Sequence, residues 1–209
     1  MIELMCTYHA PPRMAVDKAC KFIEKRKKVT RLPPHLRITS ACSLDAKVID
    51  SGGGASTLVD DLLGSSYKNV SVLDLSASAS AVVRKRLGAA GDGVTWIAGD
   101  ICTVKLPERM YDIWHDRAVF HFLTNMADRA AYLQQVMKSV KPGGHIIVAT
   151  FAPDGPEQCS GLPVARYALG ELHQEFGPSF ELLEHMSEEH KTPWGSVQHF
   201  VYRHCLKLH

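Results

Sequence analysis

At 209 residues, with 45% apolar and 22% charged side chains, the chain has the composition of one globular domain with a sizeable core and is short for two. No run approaches the roughly 20 apolar residues that a membrane helix requires. Met1-Ile-Glu-Leu-Met-Cys6 also lacks the basic start and long apolar stretch of a secretory signal, so the expectation is a cytoplasmic protein. The formal charge of +2 conceals an asymmetry, because residues 1–40 hold nine Lys or Arg against three Asp or Glu, a net +6 that leaves −4 for the remainder.

Most of that positive charge lies between Lys18 and Arg37. It reads as the solvated face of a helix, with an electrostatic patch for an acidic macromolecule as the alternative. No aromatic interleaving or nucleic-acid motif supports the patch, so no clear nucleic-acid partner is expected. The six cysteines are scattered without a Cys-x-x-Cys pair, which predicts reduced thiols rather than a zinc knuckle or dithiol centre. Eleven histidines raise the question of a metal, but His199 and His204 are five apart on an expected strand and face opposite ways. His185 and His190 are spaced alike, and no metal site is expected.

In chain order, residues 14–28 set Ala15, Ala19, Phe22 and Ile23 at helical spacing, and Pro33-Pro34 bars continuation. Lys47-Val-Ile-Asp50 is a first strand ending at glycines. Ser56 or Thr57 can cap the helix that follows to Leu63, with Gly64 closing it. Val70–Asp74 is a second strand, Ser76 an N-cap for a helix over 77–87, and Val94–Ala98 and Tyr111–His115 are third and fourth strands. The spacing predicts an amphipathic helix over 127–140, a tight turn at Lys141-Pro-Gly-Gly144 and a fifth strand to Phe151. A Pro- and Gly-rich loop covers 152–166, a length that in a compact domain is usually functional or mobile. A helix near 168–176 precedes Phe180–Glu184 and Val197–Leu206, which can pair as a closing antiparallel hairpin. Alternating strands and helices predict a parallel sheet covered on both faces. The division is residues 1–40 as a basic helical extension or lid and 41–209 as the main domain.

A glycine turn between a first strand and a helix lets a ligand approach the backbone, yet Gly52-x-Gly54 alone is weak evidence, since tight turns use glycine anyway. Three carboxylates sharpen it. Asp50 lies two residues before Gly52, where it would repel a pyrophosphate but attract an amino group and a sulfonium. Asp74 ends the second strand, placed to accept hydrogen bonds from ribose hydroxyls, and Asp100, after Gly99, ends the third, where it can accept from an adenine amino group. A cap or turn-forming role is open for each separately, but not readily for three at successive strand ends.

These motifs resemble class I S-adenosylmethionine-dependent methyltransferases, whose first motif runs hydrophobic-hydrophobic-Asp-x-Gly-x-Gly-x-Gly. Asp50, Gly52 and Gly54 match it, and Ser56 stands at the third glycine. Asp74, Gly99-Asp100, Tyr111-Asp112 and Val140-Lys-Pro-Gly-Gly144 follow in order. The resemblance covers residues 46–206 and implies a Rossmann-like, doubly wound, seven-stranded sheet with a reversed last strand. It implies S-adenosylmethionine as cofactor, S-adenosylhomocysteine as product, and a cofactor set extended to Gly53, Leu75, Ile101 and His115. Asp116-Arg117-Ala118 is similar to the Asp-Arg-Gly or Asp-Lys-Gly of thiopurine-type and some protein-lysine methyltransferases.

Methyl transfer is an in-line displacement in which the protein supplies alignment and desolvation. A base matters only for a protonated nucleophile, and Asp116 or His121 is then the candidate. Arg117 can hold an anionic substrate or a structural carboxylate. Packing remains open for His115 and His121, and Cys159 and Trp194 are candidate substrate contacts with turn and packing roles open. The expectation is methyl transfer to the sulfur, nitrogen or oxygen of a small molecule by a monomer or homodimer. Protein-lysine methylation is the near alternative; a nicotinamide-dependent oxidoreductase and a non-catalytic cofactor-binding protein come from other classes.

Overall fold

The computed structural model describes residues 43–192 and 195–209. The basic segment 1–40 and Trp194 lie outside them. Nine strands are present among the described residues: β1 Lys47–Ser51, β2 Asn69–Asp74, β3 Thr95–Ala98, β4 Tyr111–Arg117, β5 Val140–Phe151, β6 Gln158–Cys159, β7 Leu162–Pro163, β8 Phe180–Lys191 and β9 Val197–Lys207. Four α-helices accompany them: α1 Leu58–Gly64, α2 Ala77–Leu87, α3 Met126–Ser139 and α4 Leu169–Phe176. Seven strands form one sheet in the order β3-β2-β1-β4-β5-β9-β8, and β6 pairs with β7 in a small hairpin. Strands β1 to β5 are parallel, β9 runs antiparallel to β5, and β8 antiparallel to β9. The sheet is thus doubly wound with its last strand reversed, as expected. The strand order reverses direction between β1 and β4, which opens a crevice beyond their carboxyl ends.

Alternation along each buried strand sends its side chains into two cores. Ile49, Trp114, Ile146, Val148 and Val201 meet Tyr132 and Val136 of α3 and Leu172 and Phe176 of α4 on one face. Val48, Val72, Ile113, Ile147 and Ala149 meet Leu58, Val59 and Leu62 of α1 and Val83 of α2 on the other. Burying each such side chain fully contributes about 1.5–3 kcal/mol.

Local chemistry sets the helix ends. Ser76 Oγ accepts from the Ala79 N–H at 3.2 Å, and Gly88, at φ +54°, ends α2. Asn125 Oδ1 caps α3 through the Asp128 N–H at 2.9 Å. Helix α1 runs through Gly64 instead of stopping before it, and Ser66, at φ 71°, takes the left-handed turn.

Two expectations need correction. Residues 141–144 do not leave the sheet as a free turn. Tyr111 pairs with Val140 and Ile113 with His145, so the Lys-Pro-Gly-Gly segment bulges within β5 opposite Asp112. Asp112 holds it there, accepting from Lys141 Nζ at 2.6 Å and from the Lys47 N–H, at the start of β1, at 2.8 Å. The closing hairpin is also longer than its apolar run suggests, because β8 continues to Lys191 with polar residues alternating along an edge.

Lys207 is nearly buried and donates from Nζ to the carbonyls of Met137 and Val140, tying β9 to the end of α3. Lys207→Met leaves both carbonyls without that donor and should cost about 1–3 kcal/mol, read as a lower urea midpoint at unchanged slope.

Candidate active site

Strand β1 ends at Asp50-Ser51, and the chain turns sharply at Gly52, whose φ of +75° is left-handed. A Cβ there would collide with Val119 in the loop after β4. The Gly52 N–H donates to the Leu73 carbonyl at 2.7 Å, closing the turn against β2. Gly53 lies flat on the Asp50 carboxylate, so that an added Cβ would overlap Asp50 Oδ2. The glycines are therefore needed first to let the loop pack on its own acidic residue.

Asp50 is 2% exposed. Its Oδ1 lies 2.8 Å from His115 Nδ1 on the neighbouring strand, while Oδ2 has no hydrogen-bond partner among the described residues. A buried carboxylate oxygen without a donor is costly, and a cationic ligand group would satisfy it. Asp74, buried at the end of β2, accepts from the Gly54 N–H at 2.9 Å and from the Ser76 N–H at 2.7 Å. Burial raises its pKa, the two N–H donors oppose that rise, and the neighbouring charge of Asp50 adds to it. Each oxygen keeps a lone pair for a hydroxyl.

Asp100 is half-buried and accepts from the Cys102 N–H at 2.8 Å. Leu75 is half-buried beside Asp74, whereas Ile101 packs into the apolar core. Ser56 stays within the loop, its Oγ accepting from the Leu58 N–H at 3.0 Å and its carbonyl from Arg86 Nη2 at 2.7 Å.

The exit of β4 divides by face. His115 points toward Asp50. Asp116 points the opposite way and is 0% exposed. It accepts from the Tyr132 hydroxyl at 2.7 Å, the Val119 N–H at 2.8 Å and the Phe120 N–H at 3.2 Å, and Tyr132 Oη in turn accepts from Trp114 Nε1 at 2.9 Å. Burial pushes Asp116 up to about 6, against the pull of these donors. It anchors the one-turn helix Phe120–Phe122 from beneath, with both carboxylate oxygens already held by protein donors. The general-base role expected for Asp116 is therefore not one its position supports.

Arg117 returns to the His115 face, half-buried. Its Nε donates to Tyr202 Oη at 2.9 Å, and its guanidinium lies 4.4 Å over the Phe200 ring. Ala118 follows at φ 71°, a left-handed conformation that favours glycine and costs a non-glycine residue about 1 kcal/mol. His121 is buried against Phe122 and Phe151, with ring centroids 4.5 and 4.8 Å away. Burial, helped by the charge of Arg117, pushes its imidazole down to about 3, so it is neutral.

The loop 152–166 lies over this end. Its Ala165 N–H donates to the His121 carbonyl at 2.7 Å, and Cys159 and Val164 pack against the core cluster that holds Phe151 and Phe200. Tyr132, Tyr202, Phe151 and Phe200 carry no sequence signal separating them from ordinary core residues. They belong to the site only because distant strands meet there.

Residues 49–148 match the family described as Methyltransferase domain, and they contain all the carboxylates above. Those residues thus carry a methyltransferase domain, and the strand order is that of the class I methyltransferase fold. No curated protein matches it in sequence. Among solved structures, it is similar to an S-adenosylmethionine-dependent methyltransferase from Methanosarcina mazei, with TM-score 0.70 and 14% identity over 85% of this chain and 98% of that one. It is also similar to the Burkholderia thailandensis 1,6-didemethyltoxoflavin-N1-methyltransferase, with bound 1,6-didemethyltoxoflavin and S-adenosylhomocysteine, with TM-score 0.67 and 19% identity over 97% and 94% of the two chains. The N-methyltransferase NodS from Bradyrhizobium japonicum matches with TM-score 0.68 and 15% identity over 90% and 98%.

The motifs at these strand ends imply S-adenosylmethionine as the cofactor. The donor set fits it: the unpartnered Asp50 oxygen suits a cationic group, and the spare lone pairs of Asp74 suit hydroxyls.

Two outcomes follow from this geometry. Gly53→Ala should displace the Asp50 carboxylate and weaken S-adenosylmethionine binding by roughly 10- to 100-fold, read by calorimetry on protein whose circular dichroism is unchanged. Asp116, whose folded pKa is raised above that of an unfolded aspartate, stabilises the fold while protonated, and this contribution disappears as pH rises through about 6. Asp116→Asn should remove about 2–3 kcal/mol of that pH dependence between roughly pH 4 and 6, measured by urea unfolding at several pH values.

Proposed function

We propose that this methyltransferase acts on a small-molecule nucleophile rather than on a protein side chain. One observation carries the reading: among the described residues, His121, Phe151 and Phe200 beyond β4 are buried, with Cys159 and Val164 of the loop 152–166 packed against the cluster that holds the two phenylalanines. An enclosed end suits a compact acceptor, whereas a protein substrate requires an accessible trough. The Burkholderia protein of similar fold, with its bound heterocyclic compound, is consistent with this class.

In this reading Asp50 receives the cofactor's amino group with the Gly52, Gly53 and Gly54 loop above it, and His115 fixes the orientation of Asp50. Asp74 receives the ribose hydroxyls and Asp100 the adenine amino group, with Leu75 beside the ring. Ser56 keeps the loop close, and Ile101 supports Asp100 from the core. S-adenosylmethionine supplies a methyl group activated by the sulfonium. Bound there, it would supply that methyl to the lone pair of the acceptor atom, with the sulfonium sulfur as leaving group. Asp116 acts as a positioning residue, holding the loop that carries His121. His121, being neutral, can accept a hydrogen bond but is a weak base, so an acceptor that arrives already deprotonated, such as a thiolate, fits best.

A coupled assay of S-adenosylhomocysteine release tests the reading against pooled thiols, amines, phenols and lysine-containing peptides. Turnover is expected with a small-molecule pool. Turnover with peptides alone assigns the protein-lysine alternative, and tighter binding of a nicotinamide dinucleotide than of S-adenosylmethionine defeats both.

A further inference from the structure

We infer that Arg117 recognises the methyl acceptor, and that the acceptor carries a flat anionic edge of the carboxylate type. The inference rests on the methyl-transfer reading above and gives the acceptor its chemical class.

Arg117 lies two residues beyond His115 on the same face of β4, about 7 Å further along the strand. Since His115 stands against Asp50, this places the cation past the cofactor's expected amino group, on the side of β5 and β9. The guanidinium plane is set from two directions, by Tyr202 Oη on Nε and by the Phe200 ring against its face. The Tyr202 hydroxyl is also hydrogen-bonded to the Glu188 carboxylate. Among the described residues, neither Nη group has a hydrogen-bond partner and no carboxylate forms an ion pair with this side chain.

A half-buried guanidinium with its stem locked and its fork open is suited to two parallel hydrogen bonds with a planar anion. A second observation points the same way. His121, close enough to Arg117 to feel its charge, is buried with neither ring nitrogen partnered among the described residues. A neutral imidazole offers one donor and one acceptor, enough to bind a second polar group on the same ligand. The loop 152–166 is tied to the His121 carbonyl through the Ala165 N–H.

The test uses the full chain loaded with S-adenosylhomocysteine, and calorimetric titration with matched pairs: benzoate and benzamide, 2-mercaptobenzoate and 2-mercaptobenzamide, nicotinate and nicotinamide. The wild type should bind at least one acid about 10-fold or more tightly than its amide. Arg117→Gln should abolish that preference while S-adenosylhomocysteine affinity stays within about twofold and the melting temperature is unchanged. Arg117→Lys keeps the charge without the fork and should fall between.

The inference is overturned if the wild type discriminates in none of the pairs. It is equally overturned if Arg117→Gln weakens S-adenosylhomocysteine binding as much as acid binding, which would assign the guanidinium to the cofactor's carboxylate. Failure to bind S-adenosylhomocysteine at all would count against the cofactor assignment instead. The acid-against-amide comparison on the cofactor-free chain then still decides the role of Arg117.

Discussion

A carboxylate at the end of a strand buried on both sides must find hydrogen-bond donors within the protein, because water does not reach it. Asp50, Asp74 and Asp116 all stand in this position, at the carboxyl ends of β1, β2 and β4. The loops leaving those strands take the shapes they do largely to meet this requirement. Gly54 and Ser76 turn their N–H groups onto Asp74, and Val119 and Phe120 turn theirs onto Asp116. Gly53 lies bare over Asp50. The crevice at the reversal of strand order is shaped by these closures.

How fully each carboxylate is satisfied separates its role from that of the others. Asp116 has a phenol and backbone donors on both oxygens and functions inside the fold. Asp74 is held by two backbone donors yet keeps capacity for more. Asp50 has one imidazole contact and one unpartnered oxygen, and is the group most in need of a ligand. The same comparison applies to the cations. Arg86 is matched by Asp60 and Arg129 by Glu175, while Arg117, among the described residues, meets a hydroxyl and an aromatic face but no carboxylate.

The period of two along β4 divides labour over three consecutive residues. His115 and Arg117 share one face and Asp116 the α3 side, so the contact with Asp50, the stacked guanidinium and the structural anchor are all set by one strand. The reversed β9 brings Phe200 and Tyr202 beside Arg117. No contiguous stretch of chain contains that cluster.

The sequence by itself determined the order of strands and helices through hydrophobic period and turn chemistry, since both are local. It also determined the class of ligand, because the glycine loop and its acidic partners recur at fixed offsets from strand ends. Less legible were the bulge at 141–144, which exists only because Asp112 draws Lys141 back to the sheet, and the length of β8, whose polar alternation resembles a loop until β9 is beside it. Asp116 looked chemical because an acid leaving a buried strand needs a reason. The reason is Tyr132, sixteen residues away on the opposite core face. Which carboxylate is spent on the fold, which is left for a ligand, and which cation stands open were decided by the tertiary structure alone, because satisfaction of a buried charge depends on donors brought from elsewhere in the chain.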